Sequence, residues 1–361
     1  MRRHGLMLAG AAVSSILLLA ACSGSSSTQE STSGSETDAP SSETTEAEAP
    51  SAEGSGLVAA LVQAVVNPFY DAWPAVIGDA TQNLNIQAEI ASPQDFDQVQ
   101  QNQVIDSLVA KGINGIAVQT VDGTSGSETI RRLVEQQIPV VGVVACADQE
   151  GSGSSLCLNV GLEDSIYQAT MLLCEALGGE GNIVHLDGNL ADKNTAARIS
   201  GVDRALGECP GLKLLQRVTD IDSAELAQNA VSSLLASDGD QVDAIVSGAY
   251  NPSVAVASEF TNRQESRIKA VLVDTDPVVL EAVKAGYVLA TRAANVYEVG
   301  YLALYSLDLL RSGCSYSGSN FVIDIPYNTV DQGNVANFQS EAVTKALKTA
   351  ETWNTDYFTC S

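Results

Sequence analysis

Leu57 to Tyr70 reads LVAALVQAVVNPFY, and the fold is decided there. Leu57 to Val66 is apolar except for Gln63, as expected of a strand buried on both faces of a parallel sheet. Asn67 and Pro68 end the run: Pro68 has no N–H for a sheet ladder but can open a helix at its first position. Phe69 and Tyr70 then fall just past the carboxyl end of the strand, where open α/β sheets bind ligands.

Outward from this turn, short apolar runs alternate with amphipathic ones. Strands are predicted at 85–91, 115–119, 138–144, 182–186, 212–218, 242–247, 268–274, 288–293 and 320–325. Helices are predicted at 96–110, around 130–134, and at 165–177, 194–206, 224–235, 252–260, 277–285 and 296–310. Such alternation means parallel sheets with crossover helices. About ten strands exceed one comfortable sheet, so the reading is two α/β lobes.

The chain has 361 residues and a formal charge of −26, long enough for two cores and too acidic for a nucleic-acid partner. At the start, Arg2 and Arg3 precede the apolar Leu6–Ala21, which has the pattern of a signal peptide. It ends Leu19-Ala20-Ala21-Cys22, which resembles a bacterial lipobox and implies lipidation of Cys22 and a membrane anchor. Residues 23–55 hold no Lys, Arg, large aliphatic or aromatic residue, so this Ser/Thr/Glu-rich stretch reads as a disordered tether.

Six further cysteines remain: Cys146, Cys157, Cys174, Cys209, Cys314 and Cys360. An even number in an exported chain favours disulfides. Taking nearest neighbours first gives Cys146–Cys157, Cys174–Cys209 and Cys314–Cys360, a connectivity that sequence cannot prove.

Enzyme signatures are scarce. The histidines are His4, in the signal peptide, and His185, inside an apolar strand where a buried, satisfied imidazole is expected. There is no nucleophile elbow, no Walker loop and no metal-ligand cluster, so no cofactor is expected. What stands out is a set of polar and aromatic groups at strand ends: Asn67, Phe69, Tyr70, Asp122, Arg198, Tyr250, Asn251, Asp274 and Asn295. Singly, each has a dull alternative. Asn251, Asp274 and Asn295 suit helix N-caps, and Phe69 and Tyr70 suit a core. Together they describe a cleft with an aromatic face and a ring of hydrogen-bonding groups, suited to a small hydroxylated ligand.

From Leu57 onward the sequence resembles the type I periplasmic binding proteins, in the ribose-binding-like sugar branch. The resemblance is carried by Asn67-Pro68-Phe69-Tyr70, Gly112 to Val118, Gln137 to Val141, Arg198 to Val202, Val273-Asp274 and Asn295 through Tyr301. It implies two lobes joined by three crossover strands and closing on a sugar or polyol. The first lobe would be 57–163 plus 295–326, and the second 164–294 plus 327–361. It further implies a monomer that delivers its ligand to an ABC permease. Phe69 would stack on the sugar, Asn67 and Arg198 would meet hydroxyls, Asp274 would accept at the hinge side, and Tyr250-Asn251 would stand where the family has an Asn-Asp pair. Asn295 lies beside a family Gln position occupied here by Ala294. Where sugar binders often carry Asp-Arg, this chain has Val144-Ala145. An alternative role for the same lobes is presenting a ligand to a membrane sensor kinase or chemoreceptor. A hydrolase lacks its nucleophile–base pair, and a transcriptional regulator is opposed by the export signal.

Overall fold

The computed structural model describes residues 55–147, 149–190 and 192–360. The signal sequence, Cys22 and the tether up to residue 54 lie outside the described residues. The first run comprises β1 (Val58–Val62), α1 (Trp73–Leu84), β2 (Gln87–Ala91), α2 (Gln98–Ala110), β3 (Gly115–Val118), α3 (Gly123–Glu135), β4 (Val140–Val144), α4 (Gln149–Ser152) and β5 (Leu156–Val160). The second comprises α5 (Leu162–Ala176), β6 (Gly181–Leu186), α6 (Lys193–Glu208), β7 (Leu212–Val218), α7 (Ala224–Ser237), β8 (Ala244–Ser247), α8 (Tyr250–Arg263), β9 (Lys269–Val273), α9 (Pro277–Ala285) and β10 (Ala290–Ala293). The chain then returns through α10 (Val296–Arg311), β11 (Ser315–Tyr316), β12 (Val322–Ile325), β13 (Asn328–Asp331), α11 (Phe338–Tyr357) and β14 (Phe358–Thr359).

Two six-stranded sheets result, in the orders β12-β5-β4-β3-β1-β2 and β13-β10-β9-β8-β6-β7. The chain passes between them after Val160, after Ala293 and after Ile325. Every passage leaves the carboxyl end of a parallel strand, so both sheets turn their carboxyl ends toward one cleft. Each sheet is covered on both faces. In the first lobe, Trp73, Leu302 and Leu304 pack on one side and Ile105, Ile130 and Leu133 on the other. In the second, Ile166, Leu173 and Val202 oppose Val231, Val256 and Phe260. That two-sided burial is why the strands read as unbroken apolar runs.

The helix starts follow local chemistry. Asp97, Asp192, Ser223 and Asp276 each accept a backbone N–H in the first turn of α2, α6, α7 and α9, the bond an N-cap supplies. Three bridges join Cys146 to Cys157, Cys174 to Cys209 and Cys314 to Cys360.

Three expectations need correcting. The opening strand ends at Val62, four residues early, and Pro68 begins a 3-10 turn, Pro68–Tyr70. The proline that opens α1 is Pro74. The edge strand of the second sheet, β13, runs antiparallel to β10, because the third crossover enters that sheet directly with no helix to reverse it. Finally, the tail belongs with the first lobe from α11 onward. Trp353 is 1% exposed within the first lobe's core and donates its indole N–H to Ser306 Oγ at 2.9 Å. β14 pairs with β11, and Cys360 is tied to Cys314.

Candidate functional site

On the first lobe, the cleft edge is built by turns after β1 and β3. Asn67 is exposed and holds the first turn: its Oδ1 accepts the Phe69 N–H at 2.8 Å and its carbonyl the Tyr70 N–H at 3.0 Å. The Phe69 ring is half-buried and meets Tyr70 edge-on, with centroids 5.1 Å apart at 88°. One face of the site therefore has an aromatic ring that is partly open. Tyr70 is not part of that face. It is 5% exposed, its ring lies 4.5 Å from that of Trp73 at a 50° tilt, and its hydroxyl bonds the Ala64 backbone. Burial pushes its phenol well above the usual range.

Asp122 caps α3, accepting the N–H groups of Thr124 at 3.0 Å and Ser125 at 2.7 Å. Its own N–H is held by Gln98 Oε1 at 2.9 Å. Gln98 leads into a buried amide network that sequence reasoning missed. Gln101, fully buried, donates to the carbonyls of Gln63 at 2.9 Å and Gln119 at 2.7 Å. The network ties the turns after β1 and β3 to α2, so the first lobe's cleft edge is preset. Its only sequence signal was a cluster of Gln on an otherwise apolar helix face.

The second lobe contributes the charges. Arg198, in α6, is 17% exposed, and its Nη1 lies 3.3 Å from Oδ1 of the fully buried Asp187. Asp274 follows β9 at φ 69°. Burial pushes its carboxyl up to about 6, with Arg198 pulling it back down. Its backbone is fixed on both sides: its N–H donates to Arg292 O at 3.0 Å and its carbonyl accepts from Thr291 Oγ1 at 2.8 Å. Arg198 and Asp274 are thus near enough to act on each other as opposite charges.

The remaining expected groups are engaged elsewhere. Tyr250 donates its hydroxyl to Asp276 at 2.5 Å, a bond that, with burial, pushes the phenol up to about 12. Asn251 donates to the Asp222 carbonyl. Asn295 is 2% exposed and caps α10, with Oδ1 accepting from Glu298 N at 3.1 Å and Nδ2 donating to Glu298 at 2.8 Å and the Ala342 carbonyl at 3.1 Å. For Asp122 and Asn295, capping is the geometry found.

Arg292 was also missed. It is 7% exposed and donates to Thr329 and, at 3.4 Å, to the Tyr327 carbonyl. It therefore binds the second crossover to the third, beside Asp274. A lone arginine inside the apolar run 288–294 was the available signal.

Comparison with known proteins decides what this arrangement is. Residues 58–313 match the family model described as periplasmic binding protein domain. The chain belongs to that family. It has the two-lobed type I fold of that family. Among curated proteins, it is 28% identical over 195 residues to a xylitol-binding protein of Mycolicibacterium smegmatis, covering 53% of this chain and 54% of that one. The match thus spans about half the length of that relative. It is 22% identical over 228 residues to a D-apiose import binding protein of Paraburkholderia graminis, covering 62% and 70% of the two chains. Among solved structures, a sugar ABC transporter sugar-binding protein from Bacillus halodurans superposes with TM-score 0.71 at 22% identity, covering 78% of this chain and 98% of that one. An arabinose-binding protein from Geobacillus stearothermophilus gives 0.69 at 22%, covering 78% and 99%.

In this periplasmic binding protein the polar groups at the strand ends differ between the lobes. The second lobe carries Arg198 and Asp274, whereas β4 of the first ends in half-buried Val144 and exposed Ala145. Neither offers a side-chain hydrogen bond.

Proposed function

We propose that this protein binds a neutral polyol or an uncommon monosaccharide and delivers it to an ABC import permease, anchored to the membrane by lipid on Cys22. The observation that carries the ligand class is charge balance in the cleft. Arg198 stands against Asp187 and near Asp274, and Arg292 lies beside Asp274; two guanidiniums thus answer two carboxylates, so the site demands neither a phosphate nor an amine. Its groups can still hold hydroxyls through charge-assisted bonds. Phe69 supplies an apolar face for C–H groups, with Asn67 beside it. A ligand hydroxyl facing Val144 would lack a partner, at about 1–3 kcal/mol. A deoxygenated or carbon-rich edge belongs there. The relation to a xylitol-binding protein supports the polyol reading.

The test is a thermal-shift screen of pentitols, hexitols, pentoses and hexoses, followed by calorimetric titration of the hits. A linear polyol such as xylitol is expected to bind more tightly than ribose. Sub-micromolar ribose affinity with no polyol response would sink the reading. For the anchor, Cys22→Ser should release a soluble or unprocessed form; unchanged membrane fractionation would refute lipidation.

A further inference from the structure

Arg198 is held from behind by a line of buried groups. Asp187 is fully buried; Oδ1 takes the Gly188 N–H at 2.7 Å as well as Arg198 at 3.3 Å. Its Oδ2 lies 3.2 Å from His185 Nε2, close enough for attraction but off the line of a hydrogen bond, so among the described residues neither atom has a hydrogen-bond partner. His185 is itself fully buried, and its Nδ1 accepts from Arg217 Nε at 3.0 Å. A guanidinium can only donate, so Nδ1 carries the lone pair and the ring proton sits on Nε2, toward Asp187. At the outer end, Arg217 Nη2 meets Asp203 Oδ1 at 2.6 Å, where Asp203 is 55% exposed.

A carboxylate taken wholly out of water must be compensated. Among the described residues, the one cation on Asp187 is Arg198. Swinging Arg198 away would strand that charge, so the guanidinium is fixed. Arg198 Nε is buried and has no hydrogen-bond partner among the described residues, while the side chain keeps 17% of its surface open for a ligand. The end of β8 closes over the pair. A Cβ on Gly248 would lie 2.6 Å from Asp187 Oδ2 and 3.0 Å from Arg198 Cδ.

We infer that Asp187, backed by His185 and roofed by Gly248, is a positioning device for Arg198: it sets ligand affinity without touching the ligand. This rests on the reading of the cleft as a polyol or sugar site, with Arg198 as a ligand group. It is distinct from that reading because it assigns the affinity to residues behind the cleft.

Two measurements test it. The first is a double-mutant cycle read by titration with xylitol, or with the tightest binder of the screen if xylitol does not bind. Asp187→Asn should weaken binding tenfold or more in the native background and less than twofold in an Arg198→Gln background. An equal loss in both backgrounds, or none in either, overturns the inference. Gly248→Ala should behave as Asp187→Asn does. The second needs no ligand and stands even if nothing in the screen binds. His4 and His185 are the only histidines, so His4→Asn full-length protein labelled with 15N-histidine and 15N-arginine reports one imidazole beside the arginine Nε–H groups. A pyrrole-type Nε2 and a pyridine-type Nδ1 are expected, together with a slowly exchanging Arg198 Nε–H signal that is lost in Asp187→Asn. A proton on Nδ1, or an Arg198 signal indifferent to Asp187, refutes the positioning role.

Discussion

Val144 and Asp274 occupy equivalent positions in the two lobes. β4 and β9 stand fourth from the β2 and β7 edges of their sheets. In the first lobe Val118, the last residue of β3, pairs with Gly142. Continuing the β8–β9 register by one residue sets Ser247, the last of β8, against Leu272. Two residues on from each partner come Val144 and Asp274, at φ 65° and 69°. One backbone device thus turns the chain into the cleft in both lobes. Only the second puts a charge on it.

Asp274 makes ligand-free stability depend on pH. Its folded value, about 6, lies above the ordinary 3.8, so the folded state holds the proton more tightly. The favourable contribution is therefore full below pH 4 and is lost as pH rises through 6, about 3 kcal/mol at most at roughly 1.4 kcal/mol per pH unit. Chemical denaturation at pH 4.5 and pH 7 should show less of this trend in Asp274→Asn. Ligand affinity should run the other way, falling below pH 6 as the accepting carboxylate is protonated.

Asp274→Ala should weaken ligand binding about ten- to a hundredfold, the worth of a hydrogen bond to a charged group. Because desolvation disfavours the charged carboxylate, removing it should not unfold the protein. Calorimetry together with a melting curve checks this; retained affinity with a lowered melting temperature would reduce Asp274 to a structural role.

Val144 is a β-branched residue at positive φ, a conformation that costs about 1–3 kcal/mol. Asn tolerates it better. Val144→Asn should keep the stability within about 1 kcal/mol, since lost burial offsets relieved strain, and should raise ribose affinity relative to xylitol by supplying a missing hydroxyl partner. Titration with both ligands is the check.

Gly201 lets α6 lie directly on α5. A Cβ there would fall 2.3 Å from the Glu163 carbonyl oxygen and 2.9 Å from the Tyr167 nitrogen. Both are backbone atoms, so the helices must separate. Gly201→Ala should cost about 1–3 kcal/mol of stability by urea denaturation, as overpacking does.

The Cys314–Cys360 bridge closes a loop with sequence separation 46 and pins the chain after α11 to the first lobe. Replacing both cysteines by serine should cost about 2–4 kcal/mol. Hydrogen exchange should speed up in α11 more than in the second lobe; uniform loss across both lobes would contradict the assignment of the tail.

The sequence by itself determined the architecture. The apolar run at 57–66, broken by Asn67-Pro68, and its repetition through ten strands carry burial on both faces, a property written locally in each segment. The helix caps at Asp97, Asp192 and Asp276 were equally local. What the sequence could not decide was which polar group at a strand end faces the cleft. Asn295 and Asp122 have the same chemistry as an open ligand group, yet their nearest donors are backbone N–H groups of their own helices. Tyr70 beside Phe69 turns into the core because Trp73 and Ala64 are there to receive it. Arg292 stands alone in an apolar run, and its partners Thr329 and Tyr327 arrive from a distant segment; Arg198 reaches Asp187 from the helix that follows the same strand. The tail followed the first lobe because Ser306 and Cys314 provide the contacts that fix it. Burial in a strand is a property of a few consecutive residues, whereas the partner of a buried charge is fixed only when the fold sets strand, helix and crossover against one another.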